Sequence, residues 1–188
     1  MIDVALAYLR LMLDQHLSMQ FGMGRNVAIL NGLSNADGPQ SERNRNKVVI
    51  TLINLQHETN RPAYGGQRRE SDAVSFVNPP VYFNLDILVS ANFDDYGESL
   101  KFLTATIGFF QKNVTMDRAS HPGLPAGIAA LKFEIENSAY EQNQNVWTSM
   151  GVSYLPSIIY KIRHVAVQSD QVSGVAPIVR DVSGTVAT

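Results

Sequence analysis

The sequence predicts an α+β domain in which helices pack on a mixed, mainly antiparallel sheet. Three observations lead there. Apolar residues recur every three or four positions near the N-terminus and again after residue 94. Between and after these stretches lie runs of β-branched and alternating residues, as strands require. Several successive strands are joined with no helix between them, which favours antiparallel neighbours. The expected order is α-β-β-β-α-β-α-β, in two layers.

Residues 2–20 read as the first helix. Ile2, Leu6, Leu9, Leu13 and Leu17 form one stripe, and Arg10, Asp14 and Gln15 stay off it. Asp3 suits the positive end of the helix dipole, and Gly22 or Gly24 is the natural stop. Residues 27–30 make a short strand, and 31–46 a polar, turn-rich loop. The β-branched run 47–58 is the next strand. In 81–93, Val81, Phe83, Leu85, Ile87 and Val89 alternate with Tyr82, Asn84, Asp86, Leu88 and Ser90. That pattern predicts one buried face and an antiparallel partner. Strands 47–58 and 81–93 then form a hairpin, with the segment at its tip a long, mobile connection. Loops longer than about 12 residues are usually functional or unstructured.

The second helix spans 94–111, capped by Asp94 or Asp95, with Tyr96, Leu100, Leu103, Ile107 and Phe110 as its apolar stripe. A loop with Pro122 and Pro125 leads to a strand at 128–139 and a short helix at 140–151, ended by Gly151. Trp147 is expected to pack that helix on the sheet. The last strand, 157–168, is headed by Pro156. Ile158, Tyr160 and Ile162 share one face; Lys161 and Arg163 share the other. Proline there marks a strand start or an exposed edge. Residues 1–168 form one domain, and 169–188 read as a short tail or arm with room for a strand at 177–179.

The bulk numbers exclude several functions. With 188 residues the chain is long enough for one domain with a sizeable core. Only 17% of residues are charged, against about 25% in ordinary domains, so the surface is weakly guarded against association. The net charge of -2 gives no basic excess to neutralise phosphates, which argues against nucleic acid as a partner. Cysteine is absent, and with it any disulfide, thiol nucleophile or thiolate metal site. No apolar run reaches the roughly 18 residues of a membrane span, so no membrane insertion is expected. The N-terminus makes a poor signal peptide, because Asp3 and Arg10 interrupt its apolar run. Folding in the cytoplasm is the expectation.

No motif carries catalysis. His16, His57, His121 and His164 are far apart and lack metal-ligand spacing. The glycines at 22 and 24 follow a helix rather than a strand, and Val27 stands where a dinucleotide loop needs glycine. The stretch 151–155 begins like a nucleophile elbow but closes on Leu155. No catalytic, cofactor-binding or metal residue is therefore assigned. Arg61, Tyr64, Arg68 and Arg69 lie in the long hairpin connection. They can meet an acidic partner or stay solvated beside Glu58, Glu70 and Asp72.

Three separated segments carry a resemblance. They are MIDVALAYLRLMLDQHL at the N-terminus, NPPVYFNLDILVSANFDDYGESLKFLTATIGFFQ in the middle and NVWTSMGVSYLPSIIYKIR late in the chain. Together they resemble the cap, or tail-terminator, proteins of contractile injection systems. These are the phage-tail-like particles of the Photorhabdus virulence cassette and antifeeding prophage type. The resemblance covers about residues 1–168. It implies a tail-terminator-like fold and a homo-oligomeric ring, of six copies in the family. It also implies partners in the inner tube and the sheath, whose growth the ring ends. The particle is assembled in the bacterial cytoplasm and can be released outside. Candidate interface residues follow: Tyr154, Pro156, Lys161 and Arg163 around an expected edge strand, and Arg61, Tyr64, Arg68 and Arg69 in the hairpin connection. Lys161 and Arg163 either pair across the interface or form a solvated face. Three alternatives remain beside the cap: another ring or adaptor of the same particle, a small enzyme, and a monomeric adaptor for an extended peptide.

Overall fold

The structure is a computed structural model. It describes residues 1–34, 42–59, 66–69, 73–77, 80–167 and 172–177, with the last strand and residues 66–69 and 73–77 described as backbone. Helix α1 spans Ile2–Phe21, and its C-cap is Gly22 in the left-handed region. Burial of Leu6, Leu9, Leu13 and Leu17 follows the expected stripe. Asp14, expected off that stripe, is 3% exposed. Its carboxylate accepts the backbone N–H groups of Asn26, Val27 and Ala28 at 3.1, 2.7 and 2.9 Å. An acid on α1 thus holds the start of strand β1 (Ala28–Leu30) against the helix. Nothing in periodicity reveals this, because the partners are backbone groups.

Strand β2 (Lys47–His57) follows a short 3₁₀ turn at Glu42–Asn44. It pairs with β1 in parallel, although directly joined strands were expected to be antiparallel. The connection between them is long enough for a parallel crossover, which a tight turn is not. Asn44 is fully buried in it and ties Asn31, Gly32 and Asn92 together by hydrogen bonds of 2.8 to 3.0 Å.

Two short strands, β3 (Gly66–Arg69) and β4 (Ala73–Val77), occupy the expected hairpin connection. Strand β5 (Val81–Asn92) then runs antiparallel to β2, as expected. Helix α2 (Tyr96–Lys112) is capped by Asp95, whose side chain accepts the Glu98 N–H at 2.8 Å. Its buried face is Ser99, Phe102, Ala105, Thr106, Phe109 and Phe110, of which the predicted stripe contained only Phe110. Tyr96 and Leu100 are exposed instead. This helix carries two apolar stripes, and Phe102 decides between them. Its ring stacks on Phe93 at 4.2 Å and lies 4.1 Å from Phe21.

Strand β6 (Thr115–Asp117) lies in the expected loop and pairs with β7 (Ala130–Ile135). Helix α3 (Tyr140–Met150) ends on Gly151 in the left-handed region, as expected. Strand β8 (Ser157–Val167) leads to a ninth strand, β9 (Val172–Pro177), inside the expected tail.

The main sheet has the order β1-β2-β5-β8-β7-β6. A second sheet has the order β3-β4-β9. It joins the hairpin connection to the tail, a pairing that the sequence reading does not include.

Helices α1 and α2 cover one face of the main sheet. Leu85, Ile87, Val89, Tyr160 and Ile162 meet Leu9, Leu13, Phe102 and Phe110 there. Helix α3 covers part of the other face, where Trp147 packs among Val49, Leu88 and Ile159, so the domain has three layers rather than two. In consequence β5 is buried on both faces from Asn84 to Ala91, although alternation predicted one.

Replacing Asp14 with Ala orphans three backbone donors beneath α1. Urea denaturation of D14A is expected to show a loss of about 2–4 kcal/mol. A change below about 0.5 kcal/mol would mean that β1 is held by packing alone.

Candidate interface

Strand β8 is not an edge strand. It pairs with β5 on one side and β7 on the other. Pro156 is buried, and its carbonyl accepts the Ala91 N–H at 2.9 Å, so the proline marks the start of the strand.

The outward face of β8 carries Lys161 and Arg163 into a row of charges crossing the sheet. Asp86 of β5 stands opposite Lys161 and, on its other side, opposite Asn54. Asp86 Oδ2 accepts the side-chain amides of Asn54 and Gln56, each at 3.0 Å. Its Oδ1 is buried without a hydrogen bond, with Lys161 Nζ 3.8 Å from it. The same ammonium is 2.9 Å from Glu136 Oε2. Next along the strand, Arg163 donates from Nε to Glu134 Oε2 at 2.7 Å. Glu134 also takes Lys132 at 3.0 Å. The hydrogen bond from Arg163, then that from Lys132, holds the Glu134 carboxyl below its usual value; the same contact raises the Arg163 guanidinium.

A bulge adjoins this row. His164 adopts a φ of 59°, unusual for a residue other than glycine, and the β5–β8 register shifts between Phe83 and Leu85. Asn84 fixes the bulge: its side-chain oxygen accepts the His164 N–H at 3.1 Å, and its amide donates to Glu58 at 2.9 Å. The extra residue returns Val165 to the core face with Tyr160 and Ile162. Tyr160 stacks on Phe110 at 3.9 Å, and burial pushes its phenol up to about 12.

Tyr154 is 63% exposed, beside a groove of about 670 Å³ along α3. Tyr140, Trp147 and Val152 line the same groove, and no charged residue does. Arg68 and Arg69 fall in β3. Arg61 and Tyr64 lie outside the described residues. Among the described candidates, Tyr154 lies at the α3 groove, and Lys161 and Arg163 lie in the charged row on β8. Among the described residues, no group of His, Asp and Glu could hold a metal ion, and no helix is long and apolar enough to cross a membrane.

The model of the Pvc16 N-terminal domain family matches residues 5–181. The chain belongs to this family. The Pvc16 N-terminal domain fold also has solved neighbours. One is the sheath/tube terminator of an extracellular contractile injection system, PVC, in its extended state. It has a TM-score of 0.66 at 17% identity, over 100% of this chain and 64% of that one. Another is the tube-terminating cap of the anti-feeding prophage, with a TM-score of 0.61 at 14% identity, over 99% of this chain and 61% of that one. At such identity the likeness establishes the fold. The Pvc16 N-terminal domain chain spans under two thirds of either neighbour's length. No curated protein matches it significantly.

Removing the Lys161 charge leaves Asp86 buried and uncompensated. K161M is expected to lose about 3 kcal/mol in urea denaturation, and D86N in the same chain to recover part of it. Equal stability of K161M and the parent would show that the pair contributes nothing to the fold.

Proposed function

We propose that this chain is a structural cap, not an enzyme. It closes the distal end of the inner tube and sheath of a contractile injection particle and ends their growth. One observation carries the reading: the family match runs through nearly the whole chain, and the two solved neighbours described above are terminators. The low charge content suits a subunit that associates with copies of itself and with other proteins.

Capping needs no bond-making chemistry. A growing tube offers the same surface at its end after each addition. A terminator complements that surface and presents a different one outward. A ring of identical subunits matches such an end, because head-to-tail contacts close when the rotation between copies allows it. The ring has six copies in this reading. It assembles in the cytoplasm and leaves only as part of a released particle. Tyr154, exposed beside the α3 groove, is the better-placed contact to tube or sheath. Lys161 and Arg163 already have partners within the chain.

The test is position. Particles built with an epitope-tagged chain are labelled with gold and imaged by electron microscopy. Label confined to the end away from the baseplate is expected. Label at the baseplate, along the shaft, or absent from intact particles would overturn the cap.

A further inference from the structure

The β3-β4-β9 sheet ends in two free edges, and the edges are unlike. Strand β4 is antiparallel to both neighbours, so β3 and β9 run in the same direction. Among the described residues, no strand pairs with the outer side of either. Strand β3 holds Arg68 and Arg69, and charge is a usual guard on an edge. Strand β9 is Val-Ser-Gly-Val-Ala-Pro, six residues without a charge, with proline only at its last position.

The main sheet shows how this chain protects its other edges. Strands β1 and β6 are three residues each, too short to template a partner. Where β2 runs on past β1, a register shift between Leu52 and Asn54 interrupts it. There the Asn54 side-chain oxygen accepts the Leu55 N–H at 2.9 Å. Bulges and local caps of this kind block strand addition. Strand β9 carries no charge, and the one register shift along it, opposite Phe76 and Val77, lies towards its start and leaves Gly174–Pro177 in regular register with β4.

The second sheet is also tied by the chain to the centre of the fold. Strand β4 leads into β5, and β9 follows β8. The β5–β8 ladder ends at Val81 opposite Val167, and the β4–β9 ladder resumes with Val77 opposite Val172.

We infer that the free edge of β9 pairs with the free edge of β3 on the next copy of this chain. This deepens the cap reading and rests on it for the existence of a ring. Two different edges on one sheet make the contact head-to-tail, the type that closes into a ring rather than stopping at a dimer. Copies related by rotation about an axis along the strands keep their strand direction, so the new pair is parallel. Closure leaves no edge exposed, which removes the liability that β9 carries in the single chain.

The absence of native cysteine makes the test clean. Cysteine pairs are scanned in the full chain, one in residues 66–69 and one in residues 172–176, and oxidised over a concentration series and at tube ends. Within one copy β3 and β9 are two strand spacings apart, about 9.6 Å, beyond the roughly 7 Å a disulfide can bridge. Any disulfide is therefore between copies. At least one pair is expected to give a ladder of covalent multimers on a non-reducing gel, while each single-cysteine parent stays monomeric. The inference is overturned by an assembled ring with no cross-link anywhere in the scan. It is equally overturned by dimers from a cysteine in β9 alone, or by a chain that stays monomeric even at tube ends. Gold label at the distal end with no ladder would keep the cap and discard this contact.

Discussion

Everything in the main sheet is arranged around β5. From Asn84 to Ala91 the strand is buried on both faces, and both its edges are paired. Such a strand tolerates only apolar side chains or polar ones with local partners. Leu85, Ile87 and Val89 meet the helices, and Leu88 meets Trp147. Asn84 and Asp86 are held by neighbouring strands, whereas the buried Ser90 hydroxyl makes no hydrogen bond. Asn84 bridges the His164 backbone and Glu58; Asp86 takes two amides and faces Lys161. The charges on β8 are thus a requirement of β5. They let a polar row lie between the apolar patch under α3 and the end of the sheet without leaving a carboxylate unmatched.

This changes the meaning of Lys161 and Arg163. As residues of an exposed strand they would be free to meet a partner. As residues of an interior strand they are engaged with Glu136 and Glu134. In the proposed cap, assembly contacts come from surfaces that the fold leaves unsatisfied. The candidates are the edges of β3 and β9 and the uncharged groove beside Tyr154.

Local features were legible in the sequence, and long-range ones were not. Gly22, Asp95 and Gly151 mark helix ends because caps are set by a few consecutive residues. The stripe of α1 and the packing of Trp147 follow from composition and spacing. The buried face of α2 could not be chosen from its own residues, since Tyr96 and Leu100 fit a helical period as well as Phe102 and Phe109. The burial of Asp14 depends on a backbone segment beyond the end of its helix. The interior place of β8 depends on β7, which an intervening helix separates from it in sequence. The second sheet was missed because its halves lie about a hundred residues apart, and neither forms a stable unit alone. The β-branched and aromatic residues of Ala73–Val77 were the available signal, whereas Val172–Pro177 does not alternate. The family resemblance needed none of these details, since it rested on three ordered segments spread through the chain.

Growth arrest tests the account most directly. Purified tube and sheath proteins are polymerised from a baseplate seed, and this chain is added part-way through. Electron microscopy then gives the length distribution over time. The account predicts that lengths stop increasing on addition and that a later supply of tube and sheath subunits extends nothing. Continued elongation at the unaltered rate, with the chain present in excess over ends, would contradict it.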